Sequence, residues 1–235
     1  MIQISLILMA SVAGGAILGY FFKEYSRQGV RLLITFSGAY LLGIGIFHLL
    51  PHIYHSPEEG HFVGVFIVLG FLLQLILEWF SKGVEHGHGH GDMFKNHALP
   101  WGLLISLLIH AFLESMPLGM PQQEPLLWGV AVHKLPISLI LWIMLWQQTR
   151  SYQKTALALL GFALIAPLGV FAGSYFPDLI RFEAEILALV FGIFLHVSTT
   201  ILFESTQSHR VNIIKFAIAL GAFALAYMST LLLHG

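Results

Sequence analysis

The chain has 235 residues, 57% of them hydrophobic and only 10% charged, with a mean hydropathy of +0.82. A soluble domain carries about 25% charged residues and needs them to cover its surface, so a disordered chain, a nucleic-acid binder and an ordinary soluble enzyme are excluded. The net charge of −1 indicates no bulk electrostatic partner, and the absence of cysteine excludes disulfides and thiolate metal sites; the 13 histidines outnumber the 11 Lys and Arg and the 12 Asp and Glu.

A membrane-crossing helix needs about 20 mostly apolar residues. The sequence predicts eight, near Ile2–Phe22, Val30–Leu50, Phe62–Phe80, Ala98–Gly119, Pro125–Trp146, Thr155–Phe176, Ala184–Phe203 and Ile213–His234. The first lacks the basic start of a signal peptide and runs too long for one, so it reads as a helix. Backbone groups in lipid must be bonded within the segment, which makes spans of this length helices rather than barrel strands. Pro51, Pro57, Pro121, Pro125 and Pro177 mark joints. The expected fold class is an all-α integral membrane protein, one transmembrane domain over residues 1–235. It belongs in the lipid bilayer of a cell membrane, plasma or bacterial inner, with a homodimer as a candidate assembly.

Orientation follows from the basic residues. With the N-terminus outside, the inner loops hold Lys23, Arg27, Arg31, Lys82, Lys95, Arg150, Lys154, Arg210 and Lys215, the outer loops hold Arg181, and Lys134 lies within a span. Both termini are therefore expected outside. Tyr20, Trp79, Trp101, Trp146 and Tyr175 sit near span ends, as an interfacial aromatic belt requires. The segment 81–97 becomes a cytoplasmic loop containing Glu85-His86-Gly-His88-Gly-His90-Gly-Asp92. Alternating glycines deny it a stable helix, so it reads as a flexible, weak metal chelator. Ser37-Gly-Ala-Tyr-Leu in span two lines up with Phe191-Gly-Ile-Phe-Leu in span seven. These spans run in opposite directions, as in an inverted repeat around spans four and five, although two apolar helices also match this well by chance.

Ionisable groups deep in a membrane are expensive and are functional candidates by default. Span four carries His110 and Glu114, and span five carries His133 and Lys134. His110 and Glu114 are four residues apart, so they share one helical face and can share one divalent cation. From the outer end, His110 lies about ten residues down its span and His133 about eight, which at 1.5 Å per residue is nearly the same depth. The short connection Met120–Gln123 makes the two spans neighbours. A His–Glu–His cluster near the midplane follows, with ligands that suit Zn²⁺ and also Fe²⁺, Mn²⁺ or Co²⁺. Pro117 and Pro136 flank it, and each removes an intrahelical hydrogen bond. Either they mark broken helices beside a transport site or they are ordinary membrane-helix prolines.

Together these segments resemble the ZIP (Zrt/Irt-like) divalent-metal transporter family, in a short bacterial-type form. His110-Ala-Phe-Leu-Glu114-Ser-Met-Pro-Leu-Gly resembles its fourth-helix signature, and His133-Lys134-Leu-Pro136 its fifth. Gly45-Ile-Phe-His48-Leu-Leu-Pro51 is similar to its second helix, and Phe191-Gly-Ile-Phe-Leu-His196 to its seventh. The resemblance covers essentially the whole chain and implies metal uptake toward the cytoplasm without ATP. Three positions depart from the pattern. Ala111, Lys134 and Ile137 stand where the family often has ligands, so the resemblance implies one transported ion held by His110, Glu114 and His133, with a fourth ligand unassigned. Lys134 lies about 13 Å deep by helical rise, too far for its stem to reach water easily. Its ammonium needs an internal partner, for which Glu114 is the deep carboxylate available, or it loses its proton, or it points into a wet cavity with no fixed partner. Set against the family pattern, Lys134 takes the place of a second cation.

Other residues have two open readings each. His196, also near the midplane, is either the fourth ligand or bonded to a neighbouring helix. Ser198, Thr199 and Thr200 either bond their own backbone or line an exit path, and Glu204 is either an exit ligand or solvated. On the outer side His48, His52, His55, Glu58, Glu59 and His61 either pass cations inward or form a solvated run. Gly14, Gly15 and Gly19 offer span one a small-residue face for sliding. The expected function is divalent-metal transport, not enzymatic catalysis. An intramembrane metal-dependent hydrolase lacks a His-Glu-x-x-His motif and a spare deep base, and a metal sensor lacks an attached signalling domain.

Overall fold

The computed structural model describes residues 1–21, 27–54, 60–81, 100–176, 181–204 and 213–233, and of Arg27, Gly60, His61, Ser81 and Glu204 the backbone alone. Apart from short turns the described residues are helical, and eight helices are long and apolar enough to cross a membrane. They are α1 (Ile2–Phe21), α2 (Arg27–Ile44), α3 (Gly60–Ser81), α4 (Trp101–Ser115), α5 (Glu124–Thr149), α6 (Tyr152–Tyr175), α7 (Glu183–Glu204) and α8 (Ile213–Leu233). This is a multi-pass membrane protein.

One helix end departs from the sequence expectation. Pro51 does not end span two, because α2 widens into a π turn at Gly45–Leu49 and resumes as an α turn over Leu50–Ile53. The Leu50 amide bonds the Gly45 carbonyl there, and His48 lies within the turn. Pro136 does not break α5, which is continuous around it, whereas at Pro117 α4 tightens into a 3-10 turn, Met116–Gly119. The α5–α6 joint is sharp: Arg150 caps α5 in the left-handed region (φ 51°), and Ser151 caps α6 by accepting from the Lys154 amide.

The bundle has an inner and an outer set of helices. Through their most apolar windows α2 and α5 are 72% buried and α7 61%, against 22% for α1 and α3 and 17% for α8. The physical reason is polarity. Ser106, His110, Glu114, His133, Lys134 and Ser138 are all buried on α4 and α5, whereas α1, α3 and α8 turn Leu, Ile and Phe outward. In lipid a polar side chain must be enclosed by protein, so the helices that carry such groups take the centre.

Packing pairs repeat. Helix α1 packs on α5 and α6 on α4; α3 packs on α7 and α8 on α2. Exchanging one with six, two with seven, three with eight and four with five maps each pair onto the other, the relation an inverted repeat produces. Glycines mark the same correspondence. A Cβ on Gly15 would stand 2.2 Å from the Leu135 carbonyl oxygen of α5, and one on Gly173 would stand 1.9 Å from the Met116 carbonyl oxygen after α4. Each has a partner glycine four residues away in contact with the same neighbour, Gly19 and Gly169. Only small residues let backbones approach this closely. Gly14 is not part of the close face, since nothing lies within 4 Å of a Cβ built there.

A candidate metal centre between α4 and α5

His110 and Glu114, one turn apart on α4, place Nε2 and Oε2 3.4 Å from one another, both side chains essentially inaccessible. His133 faces them from α5, its ring centroid 6.2 Å from that of His110 at an interplanar angle of 67°. One ligand atom from each of the three residues lies within 4.8 Å of the others. Two ligands about 2.1 Å from a tetrahedral ion stand about 3.4 Å apart, so an ion between these groups needs side-chain movement of about an ångström.

A residue that the sequence reading passed over orients this cluster. Gln74, wholly buried on α3, has its Oε1 3.0 Å from His110 Nδ1. The contact fixes the ring so that Nε2 faces Glu114. Such a bond to the far ring nitrogen is the usual support of a metal-ligating histidine. The available signal was a lone Gln inside Phe71-Leu-Leu-Gln74-Leu-Ile-Leu-Glu78, with a second polar residue four positions on.

Lys134 is also wholly buried, and its ammonium contacts Glu114 Oε1, leaving Oε2 toward His110. Below it the Phe162 ring centroid lies 5.3 Å from Nζ, a cation–π distance. Ala111 and Ile137 pack in one apolar cluster with Leu107, Leu141 and Phe162. Beside Glu114 Oε1 the centre therefore holds hydrocarbon and one ammonium.

The remaining candidates lie elsewhere. His196 is outside the three-residue group; its Nε2 is 3.3 Å from Glu78 Oε2, and its ring meets Phe71 edge-on at 4.8 Å. Thus α3 supplies Gln74 to His110 and Glu78 to His196 from adjacent turns. Thr199 and Thr200 bond the carbonyls of Leu195 and His196, while Ser198 Oγ is buried without a hydrogen-bond partner among the described residues. His48 and His52 are drawn to the start of α5 and α7: His48 Nε2 lies 3.3 Å from Gln123 Oε1, and His52 Nε2 lies 3.5 Å from Glu183 Oε1. His55, Glu58, Glu59, His86, His88 and His90 lie outside the described residues, as do the side chains of His61 and Glu204.

No protein-family model matches the chain. Among curated proteins it is similar to the zinc transporter SLC39A7 of Mus musculus, 32% identical over 81 residues, covering 27% of this chain and 17% of that protein. The SLC39A7 zinc transporter of Rattus norvegicus matches with the same identity and coverage. The match thus spans under a fifth of the length of these relatives.

Proposed function

We propose that this chain is a ZIP-type transporter that carries a divalent transition metal, zinc foremost, toward the cytoplasm. The observation that carries the reading is the group His110, Glu114 and His133, enclosed at the centre of eight membrane helices. Two neutral imidazoles and a carboxylate replace part of the ion's hydration shell, and water or a further side chain completes the set. The similarity to a zinc transporter supports zinc; Fe²⁺, Mn²⁺ and Co²⁺ suit the same donors.

Lys134 explains why such a site releases its cargo. Its ammonium offsets the Glu114 carboxylate, so a bound divalent ion leaves uncompensated positive charge in a low-dielectric interior. Affinity is thereby held low enough for the ion to leave, which transport requires. In this role Lys134 substitutes for a second metal, and the centre handles one ion at a time. The predominance of basic residues on one side assigns both termini to the outside and the His-rich segment to the cytoplasm.

Purified protein in liposomes tests this reading. Zn²⁺ flux in the wild type, falling to background in Glu114→Ala and His133→Ala with the fold retained, is the expected result. Hydrolysis without flux would assign an enzyme, and binding without flux a sensor. The hydrolase reading needs a free base beside the metal, and Glu114, held by Lys134 and His110, does not supply one.

A further inference from the structure

Three helix ends meet at the side of the bundle where α5 and α7 begin. Glu183 Oε1 accepts from Gln123 Nε2 at 3.4 Å, and His52 Nε2 stands 3.5 Å from the same oxygen. Gln123 Oε1 in turn meets His48 Nε2 at 3.3 Å. The four residues therefore form a continuous polar chain. It runs from a partly exposed pair, His52 and Glu183, inward to Gln123 and His48, which are 4% and 2% exposed.

We propose that His48, His52, Gln123 and Glu183 form a second, shallower divalent-cation site at the mouth of the bundle. Its donors are two imidazole nitrogens, a carboxylate and an amide oxygen, a set that suits borderline cations such as Zn²⁺. The 3.5 Å between His52 Nε2 and Glu183 Oε1 matches the separation of about 3.4 Å between two ligands on one tetrahedral ion. The ring centroids of His48 and His52 are 6.4 Å apart. Two imidazoles on one ion have centroids about 5 to 6 Å apart, so a small rotation brings both to the same metal. His48 sits in the π turn, which departs from regular α geometry and re-aims its side chain.

Position gives this site its use. Gln123 and His133 lie ten residues apart at the start and in the body of α5, which places the mouth about 15 Å along the helix from the central group. An ion caught by His52 and Glu183 in contact with water can pass to His48 and Gln123 before it descends. That role as a first stop rests on the transport reading of the central group; the binding itself does not.

Zn²⁺ binding to the purified full chain separates the two. In a background with His86, His88 and His90 replaced by Ser and with Glu114→Ala, the chain should still bind one Zn²⁺. Adding His52→Ala with Glu183→Gln should remove that ion, and Glu183→Asp, which keeps the carboxylate, should retain it. Both positions are partly exposed, and circular dichroism checks that the variants keep the fold. In liposomes the His52 and Glu183 variants, made with Glu114 intact, should raise KM for Zn²⁺ about tenfold at unchanged kcat. Unaltered Zn²⁺ binding in the double variant overturns the proposal. So does a lower kcat at constant KM, the mark of a hydrogen-bonded brace. If Glu114→Ala transports normally while His52→Ala with Glu183→Gln loses an ion, the central reading fails and the mouth site stands.

Discussion

Lys134 and Glu114 lie twenty residues apart, on different helices, and meet as a buried pair at the centre of the membrane bundle. The pair neutralises itself, and it uses one carboxylate oxygen while the other faces His110. Removing one partner of a buried ion pair leaves an uncompensated charge and costs about 3–5 kcal/mol. Lys134→Ala is therefore expected to lower the melting temperature of the metal-free protein. Added Zn²⁺ should recover more stability in this variant than in wild type, because the ion supplies the missing positive charge. Lys134→Glu should raise the bound-metal stoichiometry. Equal stabilisation by Zn²⁺ in wild type and Lys134→Ala contradicts the account.

Gln74 holds the His110 ring through Nδ1. Gln74→Ala should weaken metal binding about 10- to 100-fold, the usual cost of losing a histidine's outer partner. Gln74→Glu keeps an acceptor oxygen and should retain binding better than Gln74→Ala. Equilibrium dialysis against Zn²⁺ measures both. Identical affinities for wild type and Gln74→Ala would remove Gln74 from the centre.

The segment carrying His86, His88 and His90 has glycine at alternate positions, a composition that disfavours a fixed ligand geometry. Replacing the three histidines by Ser should leave liposome flux in place, with a change at most in apparent affinity or in its regulation. Abolished flux is the contrary result.

The glycine contacts give a prediction about packing alone. Gly15→Ala puts a methyl group 2.0 Å from Ser138 Oγ and 2.2 Å from a backbone oxygen that has little freedom to move. It should destabilise the docking of α1 on α5 by about 1–3 kcal/mol. Gly14→Ala meets nothing within 4 Å and should be neutral. Thermal unfolding in one detergent compares the two, and equal melting temperatures count against the close α1–α5 approach.

Much of this molecule is written locally. Eight apolar runs each satisfy their own backbone, so span number and helix type follow from the sequence without knowledge of neighbours. His110 and Glu114 share a face because they are four residues apart, and the short joint before α5 brings His133 to the same level. The depth of Lys134, with Glu114 as a carboxylate at a similar level, points to the pair that the structure forms.

Tertiary structure decided what lies between spans distant in sequence. Gln74 and Glu78 are isolated polar residues in an apolar helix, and only the packing of α3 against α4 and α7 sets them beside His110 and His196. Nothing in the sequence pattern singles out Glu183, and Gln123 ends the short connection before α5; only the meeting of three helix ends joins them to His48 and His52. Gly14 and Gly15 are neighbours in sequence, yet helix rotation turns one away and buries the other against Ser138. Pro136 and Pro51 lie within helical chain that continues around them. The physical reason is common to all of these. Periodicity along one helix states which residues share a face, but the rotation of that face and its partner are chosen by close packing of side chains from the whole bundle.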